Sequence, residues 1–325
     1  MLLEVPLGYS GRKIELRYNT TSDVEAFHEG VSIGMLQAGG LPGQLTGPQD
    51  AGGAAVNTDI RTFYGFKQIP FSPELKPQQM YLLSSMVEIS NKIQFAIQNS
   101  MYFTLIGDVG AGKSTTLRYV LSQLPAKSYQ VIDLVGGQWS FVEVLRQLMA
   151  SLGLFTRTNQ PSTMLRQIHE ALDLIYNDGK RPVLVIDECH HFTGDFYAQL
   201  HLISQQNLAK ANVIPIVMCG QEGLFEKLRN PQARPLMSRI LDGYNLRSLT
   251  QDECFGYIEH HLKTIGGRGS EIFDKPALIA VSQVSAGIPR NINSVCLLAL
   301  QHGMEQGLLT IPAEVIRKVT RNWWE

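Results

Sequence analysis

The sequence predicts an α/β fold in which a parallel sheet is covered by helices on both faces and is followed by a small all-helical region. Between residues 102 and 249, short apolar runs typical of buried strands alternate with segments that carry apolar residues at helical spacing. A glycine-rich loop, Gly107–Thr115, joins the first apolar run to a helix. After Leu249, the apolar residues keep the helical spacing.

The elements of the α/β part follow in order along the chain. Each predicted strand is a short apolar run: 102–106, 129–134, 182–186, 213–219 and 244–249. Each predicted helix has apolar residues three or four positions apart: 78–99, the segment from the glycine-rich loop to Leu124, 141–152, 165–175 and 195–207. Pro125 and Gly153 end two of these helices, because proline cannot continue a helix and glycine readily caps one.

The region after Leu249 is predicted to be helical throughout. A capping box formed by Thr250 and Glu253 opens a helix that runs to about Ile265. Three more helices are predicted at 275–286, 289–306 and 312–322. Gly287 follows the first of these and Pro289 begins the second, so both boundaries have a physical signal.

The beginning of the chain differs from the rest. Residues 1–38 indicate a small appendage, with a hairpin at 2–5 and 13–18 and a short helix from Ser22. Glycine and proline are dense between residues 39 and 57, as is typical of a flexible linker. We therefore predict four parts: an appendage (1–38), a linker (39–57), a nucleotide-binding α/β domain (58–249) and a helical lid domain (250–325).

Composition sets limits on the class of protein. The chain has 325 residues, of which 44% are hydrophobic and 18% charged, and its formal net charge is −1. The chain has no overall excess of positive charge that would indicate nucleic-acid binding, although a local stripe of lysine and arginine would suffice for such binding. The four cysteines form no C-x-x-C pair, as expected of reduced thiols. No run approaches the roughly 20 apolar residues that span a bilayer, so we expect a cytoplasmic protein without a membrane anchor.

The glycine-rich loop has the pattern G-x-x-x-x-G-K-[ST] between a strand and a helix, the context in which this pattern binds a triphosphate. The loop brings backbone N–H groups close to the phosphates, and the helix N-terminus adds positive potential. Lys113 is predicted to reach the β- and γ-phosphates, and Ser114 to hold Mg²⁺. The predicted nucleotide contacts, to ATP, are Gly107, Asp108, Val109, Gly110, Ala111, Gly112, Lys113, Ser114 and Thr115.

Hydrolysis requires a metal-ordering acid and a group that activates water, and Asp187 and Glu188 follow a buried strand. Asp187 is predicted to bind Mg²⁺ through a water, and Glu188 to orient or deprotonate the attacking water. The alternative is that both acids only cap the next helix, whose first turn favours negative charge.

Polar residues also follow two strand ends. His190 and His191 raise a metal-binding alternative, but no second cluster has zinc spacing, and His190 better suits a polar relay near the γ-phosphate. Gln221 follows the strand 213–219 and is a candidate contact to the attacking water. The alternative is that Gln221 simply starts a helix.

Five segments recur in the order typical of one family: Phe63–Ser72, Gly107–Lys113, Val185–Glu188, Cys219–Gln221 and Ser285–Asn293. Together they resemble the AAA+ P-loop NTPases of the general secretion pathway protein A (ExeA) type. The same branch holds the ATPase helpers of DNA transposition, such as Mu B and the Tn7-type C proteins. The resemblance covers about residues 60–322.

The resemblance implies a ring or filament with ATP between subunits, and an arginine that reaches the neighbour's γ-phosphate. Arg239 is our first choice for that arginine and Arg234 the second, the alternative being that both are surface arginines. Arg290 matches the lid arginine that contacts the nucleotide within one subunit. The segment Phe63–Phe71 is implied to lie near the adenine base.

The resemblance also bears on the biological role. Secretion-type members continue through a transmembrane helix to a peptidoglycan-binding domain, whereas the sequence given stops at Glu325. We therefore expect a stand-alone ATPase that binds DNA without sequence preference, as an ATP-dependent oligomer, and delivers target DNA to a transposase. The alternatives are an ATPase for assembly of a secretion or envelope machine, and a scaffold in which slow hydrolysis is a timer.

Overall fold

The computed structural model describes residues 59–72, 76–207, 210–266 and 271–321, together with the backbone of three strands nearer the N-terminus. For 205–213 it likewise describes the backbone only. The chain divides into two compact units, 1–56 and 57–325.

The first unit contains a three-stranded antiparallel sheet of β1 (Glu15–Tyr18), β2 (Asp23–His28) and β3 (Val31–Gln37). The predicted helix from Ser22 is therefore wrong. Strand β2 pairs with a neighbour on each side, with Val24 opposite both Tyr18 and Leu36. Pairing on both edges outweighs the local helix propensity of a short segment. The predicted strand 2–5 and the linker 39–57 lie outside the described residues.

The second unit contains a five-stranded parallel sheet. Its strands are β4 (Tyr102–Gly107), β5 (Tyr129–Val135), β6 (Arg181–Asp187), β9 (Ile216–Gly220) and β10 (Ile240–Leu246), in the spatial order β10-β4-β9-β6-β5. Because all neighbours run in parallel, their carboxyl ends meet at one edge. The glycine-rich loop, Asp187 and Gln221 all follow strands at that edge.

Helices cover both faces of this sheet, as predicted. The short helix α1 (Ile60–Tyr64) belongs instead to the C-terminal helical core. The helices that cover the sheet are α2 (Ser84–Gln98), α3 (Lys113–Ser122), α4 (Phe141–Ser151), α5 (Pro161–Asn177), α6 (Gly194–Ser204), α7 (Gly223–Arg229) and α8 (Arg234–Met237). Alternate strand residues enter two separate cores. Leu184 and Ile186 pack with α4, α5 and α6, whereas Val183 and Val185 pack with α2 and α3. Burial on both faces explains why the strands are apolar throughout.

Some element bounds differ from the predicted ones. Helix α2 begins at Ser84 instead of residue 78, because Pro77–Gln79 forms a separate 3-10 turn. The predicted helix 195–207 ends at Ser204, and a small antiparallel hairpin follows, with strands β7 (Gln205–Asn207) and β8 (Lys210–Val213). The last strand begins at Ile240, earlier than predicted, since its first residues are exposed at the sheet edge and do not form an apolar run.

The C-terminal region consists of α9 (Gln251–Thr264), α10 (Lys275–Ser285), α11 (Pro289–Glu305) and α12 (Ala313–Val319). The Thr250–Glu253 capping box is present, as predicted. These helices enclose their own core, which also takes in Tyr64, Phe66 and Phe71. Among the described residues, no helix has both the length and the apolar character needed to cross a lipid bilayer.

Candidate nucleotide-binding site

The glycine-rich loop adopts a backbone that its glycines make possible. Gly110 and Gly112 have φ angles of 80° and 97°, in the left-handed region that favours glycine. A Cβ atom at residue 110 would lie 2.7 Å from Arg290 Cβ, so a side chain there has no room. Helix α3 begins at Lys113, with Gly112 as its N-cap. The loop therefore presents backbone N–H groups and a helix N-terminus to the same space.

Lys113 is buried, and its Nζ donates to Gly107 O at 2.9 Å and to Asp108 O at 2.8 Å. Both carbonyls lie where β4 passes into the loop, so the ammonium is held at the carboxyl end of the sheet. A buried cation that donates to neutral carbonyls, and pairs with no carboxylate among the described residues, remains well placed to attract phosphate charge.

Ser114 and Asp187 come together across 73 residues of sequence, and the Ser114 Oγ donates to Asp187 Oδ2 at 2.7 Å. The other oxygen of Asp187 accepts the Glu188 N–H at 2.8 Å. A hydroxyl and a carboxylate at this separation form a purely oxygen donor pair, which is what Mg²⁺ prefers beside phosphates. These two residues therefore fit a bound magnesium ion, and that role remains a prediction.

Glu188 has a φ of 52° and a ψ of 34°, a left-handed conformation that is uncommon for residues other than glycine. One of its carboxyl oxygens is buried without a hydrogen-bond partner among the described residues, and it lies 3.4 Å from His190 Nδ1. Burial lowers the pKa of His190, so its imidazole is neutral at neutral pH. A carboxylate oxygen left without a donor suits a water molecule as its partner.

The ring nitrogens of His190 and His191 and a Glu188 oxygen lie within 4.8 Å of one another. This grouping keeps the metal-binding alternative geometrically open. It also places His190 beside the predicted water activator, as the relay interpretation expects. The Gln221 N–H points to His190 Nδ1 at 3.4 Å, which joins the end of β9 to the turn after β6.

One cleft of about 400 Å³ brings most of the predicted site residues together. It is lined by Phe71, Val109, Gly110, Gly112, Lys113, Ser114, Thr115, Arg118, Glu188, Gln221, Tyr257, Pro289, Arg290, Asn293 and Ser294. Arg290 enters from the start of α11, and its backbone N–H points to Gly110 O at 3.3 Å. The C-terminal helices thus close one side of the cleft, as the resemblance implies.

Arg239 lies away from this cleft. Its carbonyl accepts the Tyr102 N–H at 2.9 Å, at the amino end of the sheet, and its side chain donates to Pro235 O. The glycine-rich loop begins five residues further along β4, at Gly107, or about 17 Å at the rise of a β-strand. Arg234, in α8, is exposed. Neither arginine is brought to the site of its own chain.

An apolar pocket adjoins the phosphate cleft and shares six lining residues with it: Gly112, Thr115, Arg118, Tyr257, Pro289 and Asn293. Its other lining residues include Met80, Tyr81, Leu83, Met86, Leu246, Leu249 and His261. This is the surface that fits a planar base. Of the segment expected near adenine, Phe71 lines the cleft, while Tyr64 donates to the carbonyls of Leu300 and Leu308 inside the helical core.

His261 is nearly fully buried in this pocket wall, where its ring stacks on Phe71 with 5.3 Å between the ring centroids. Burial lowers the pKa of His261 from 6.5 to about 4. Below the ordinary pKa the unfolded chain binds a proton that the folded chain does not bind, so stability falls as the pH falls. We expect His261 to cost about 2 kcal/mol of unfolding free energy between about pH 7 and about pH 5.

Denaturant unfolding at both pH values, on the wild type and on His261→Phe, measures this effect. The variant keeps an aromatic ring against Phe71 but cannot take up a proton, so its stability should depend less on pH. Burial also lowers the pKa of His190 and His201, which leaves a smaller slope of the same sign. The same slope in both proteins would contradict the assignment to His261.

A model of a family described as "AAA domain" matches residues 97–228. General secretion pathway protein A of Aeromonas hydrophila is 28% identical over 247 residues, covering 75% of this chain and 45% of that protein. The chain spans less than half the length of the curated relatives it matches.

Solved structures share the fold at low sequence identity. Cdc6p from Pyrobaculum aerophilum superposes with a TM-score of 0.62 at 16% identity, over 77% of this chain and 69% of that chain. The Aeropyrum pernix ORC1 protein, solved in complex with DNA, gives a TM-score of 0.58 at 13% identity, over 78% and 68% respectively. The P-loop at the carboxyl edge of a parallel sheet, together with the likeness to these solved structures, shows that this chain has the P-loop NTPase fold of the AAA+ type.

Proposed function

We propose that this chain hydrolyses ATP as one subunit of an oligomer, and that the oligomer binds DNA and assists transposition. The proposal of ATP hydrolysis rests on the hydrogen bond between Ser114 and Asp187, because it brings together the predicted magnesium-binding residues of two motifs that are distant in sequence. Glu188, Gln221 and Arg290 line the same cleft, where a γ-phosphate and its attacking water have room. ATP supplies the γ-phosphate, and Mg²⁺, held by Ser114 and Asp187, would offset the phosphate charge.

The placement of Arg239 favours assembly. An arginine about 17 Å from its own glycine-rich loop can act on a γ-phosphate only from a neighbouring subunit. The site of one chain is then complete only when a second chain supplies the arginine. ATP would in this way link hydrolysis to self-association in a ring or filament.

DNA as the ligand is supported by fold likeness to a protein solved with DNA and by one exposed loop. Phe155, between α4 and α5, is 96% exposed and is followed by the exposed Arg157. An exposed aromatic side chain two residues before an exposed arginine is suited to stacking on bases and contacting phosphates. We propose that this loop contacts DNA, with transfer of target DNA to a transposase as the specific role. Because the proposed reaction consumes ATP, we propose that the protein acts in the cytoplasm.

Similarity to a secretion-pathway protein supports a second candidate, in which the same ATPase drives assembly of a secretion or envelope machine. The cleft and its chemistry are the same in both candidates. The two candidates differ in what the assembled protein binds, so a measurement of DNA binding distinguishes between them.

DNA binding should depend on bound ATP. We expect tight, sequence-tolerant binding with ATP, weak binding with ADP, and none with Lys113→Ala, whose phosphate site lacks its ammonium. Because the contacts are to phosphates, the affinity should fall steeply as salt rises. Fluorescence anisotropy with duplexes of unrelated sequence measures all three conditions.

The loop variant Phe155→Ala serves as the matched test of the contact surface. It should hydrolyse ATP at the wild-type rate and bind DNA more weakly. Equal DNA binding in all nucleotide conditions would contradict the DNA proposal. An absence of binding by a protein that hydrolyses ATP would contradict it as well and favour the secretion candidate.

A further inference from the structure

The turn after β6 holds Glu188 in a backbone conformation that needs support. Because a side chain other than glycine is disfavoured at a φ of 52°, neighbouring groups must stabilise this conformation. The turn continues as a single 3-10 turn, Cys189–His191, whose own hydrogen bonds run from the His191 N–H to Glu188 O and from the Phe192 N–H to Cys189 O. These two bonds do not use the carbonyls of His190 and Phe192, so those carbonyls need hydrogen-bond donors from outside the turn.

Lys227 of α7 contacts the turn at two carbonyls. Its Nζ donates to His190 O at 2.5 Å and to Phe192 O at 2.6 Å, on both sides of the turn. No ion pair joins Lys227 to a carboxylate among the described residues. The cation is half-buried and directed at backbone carbonyls, which is an uncommon use of a lysine on a short helix.

A second contact joins the turn to the segment that leads into α7. At the start of the helix, the Gln221 N–H points to His190 Nδ1. Between them, Leu224 is fully buried, and a Cβ atom at Gly220 would lie 3.3 Å from the His190 N atom. The end of β9, α7 and the turn therefore form one tightly packed unit.

From this geometry we propose that Lys227 is a positioning residue for hydrolysis: it fixes the turn so that the Glu188 carboxylate faces the attacking water. The proposal rests on the proposed function, in which Glu188 activates that water. Lys227 itself does not line the phosphate cleft. Its removal should therefore alter the rate of the chemical step and leave nucleotide binding unchanged.

The test compares Lys227→Met with the wild type. Because a small displacement of a reacting group can lower a rate by about 100-fold, we expect kcat for ATP to fall by about 10- to 100-fold. The Kd for ATP, measured by fluorescence with a labelled analogue, should change by less than about 2-fold. Lys227→Arg keeps two donors within reach of the carbonyls and should recover most of kcat.

Lys180→Met is the matched control, since Lys180 pairs with Asp178 on the surface after α5. It makes the same chemical change and should alter neither kcat nor Kd. A wild-type kcat in Lys227→Met, from a wild type that hydrolyses ATP, would overturn the positioning role alone. A wild type without hydrolysis, or Glu188→Gln that hydrolyses normally, would instead overturn the proposed function.

If Lys227→Met lowers the melting temperature and loses nucleotide binding, Tyr197→Phe takes its place. The Tyr197 hydroxyl donates to Cys189 O, so it supports the same turn from α6. This variant should reduce kcat with Kd unchanged, while keeping the aromatic ring in the core. Normal turnover in Tyr197→Phe would then overturn the proposal that support of this turn positions Glu188.

Discussion

Replacing Glu188 by glutamine is expected to stop ATP hydrolysis while ATP stays bound. The amide is nearly the same size as the carboxylate but cannot accept a proton from water, so kcat should fall by about 100-fold or more. Lys113, Ser114 and Asp187 are untouched, which preserves the phosphate and magnesium contacts. Since the bound triphosphate is not consumed, the assembled form should accumulate, as light scattering and size-exclusion chromatography with ATP would show.

A control for this variant is Glu170→Gln. Glu170 pairs with Arg166 on the exposed side of α5, where an ion pair contributes little. That substitution should leave both turnover and assembly unchanged. Normal turnover in Glu188→Gln would show that another group activates the water and would contradict the assignment of that role to Glu188.

The phosphate half of the site could be predicted because its signals are local. A glycine-rich loop between an apolar strand and a helix has one common structural solution, and Gly107–Thr115 adopts it. The position of Asp187 could also be predicted, because acids at the end of a buried strand must lie at the carboxyl edge of a parallel sheet. The Ser114–Asp187 hydrogen bond joins these two inferences.

The wall of the apolar pocket could not be predicted in the same way. Met80 and Leu83 lie just before α2, Leu249 follows the last strand and His261 lies in α9, and nothing in their spacing shows that these three segments meet. Of the segment expected near the base, Phe71 lines the neighbouring phosphate cleft, and Tyr64, Phe66 and Phe71 all help to build the helical core. Aromatic residues at a domain edge can serve either purpose, and only packing decides between them.

Two other features show how context outweighs local pattern. Lys227 reads as an ordinary helix-surface lysine in the sequence, yet it binds the carbonyls beside Glu188. The strand Asp23–His28 lies where a helix was predicted, because its neighbours on both sides offer hydrogen bonds. In both cases the deciding partner is distant in sequence or in another element.

Arg239→Ala should have the second largest effect, and its cause is the position of the residue. Arg239 sits at the amino end of β10, beside Tyr102, whereas the phosphates bind at the opposite edge of the sheet. An arginine supplied to a neighbour's γ-phosphate can raise turnover by about 1000-fold or more. The variant should lose a comparable share of kcat while binding ATP and assembling normally. Arg234→Ala, our second choice for this role, provides the comparison and should retain most turnover.

The intersubunit site is tested most directly by mixing two inactive proteins, Arg239→Ala and Lys113→Ala, and measuring ATP turnover. Arg239→Ala subunits bind ATP but lack the arginine, and Lys113→Ala subunits supply the arginine but bind no ATP. In a random equal mixture, about a quarter of the sites should be complete, so turnover should recover to about that fraction of the wild-type rate. A mixture that co-assembles and stays as inactive as either protein alone would contradict a site shared between neighbouring subunits.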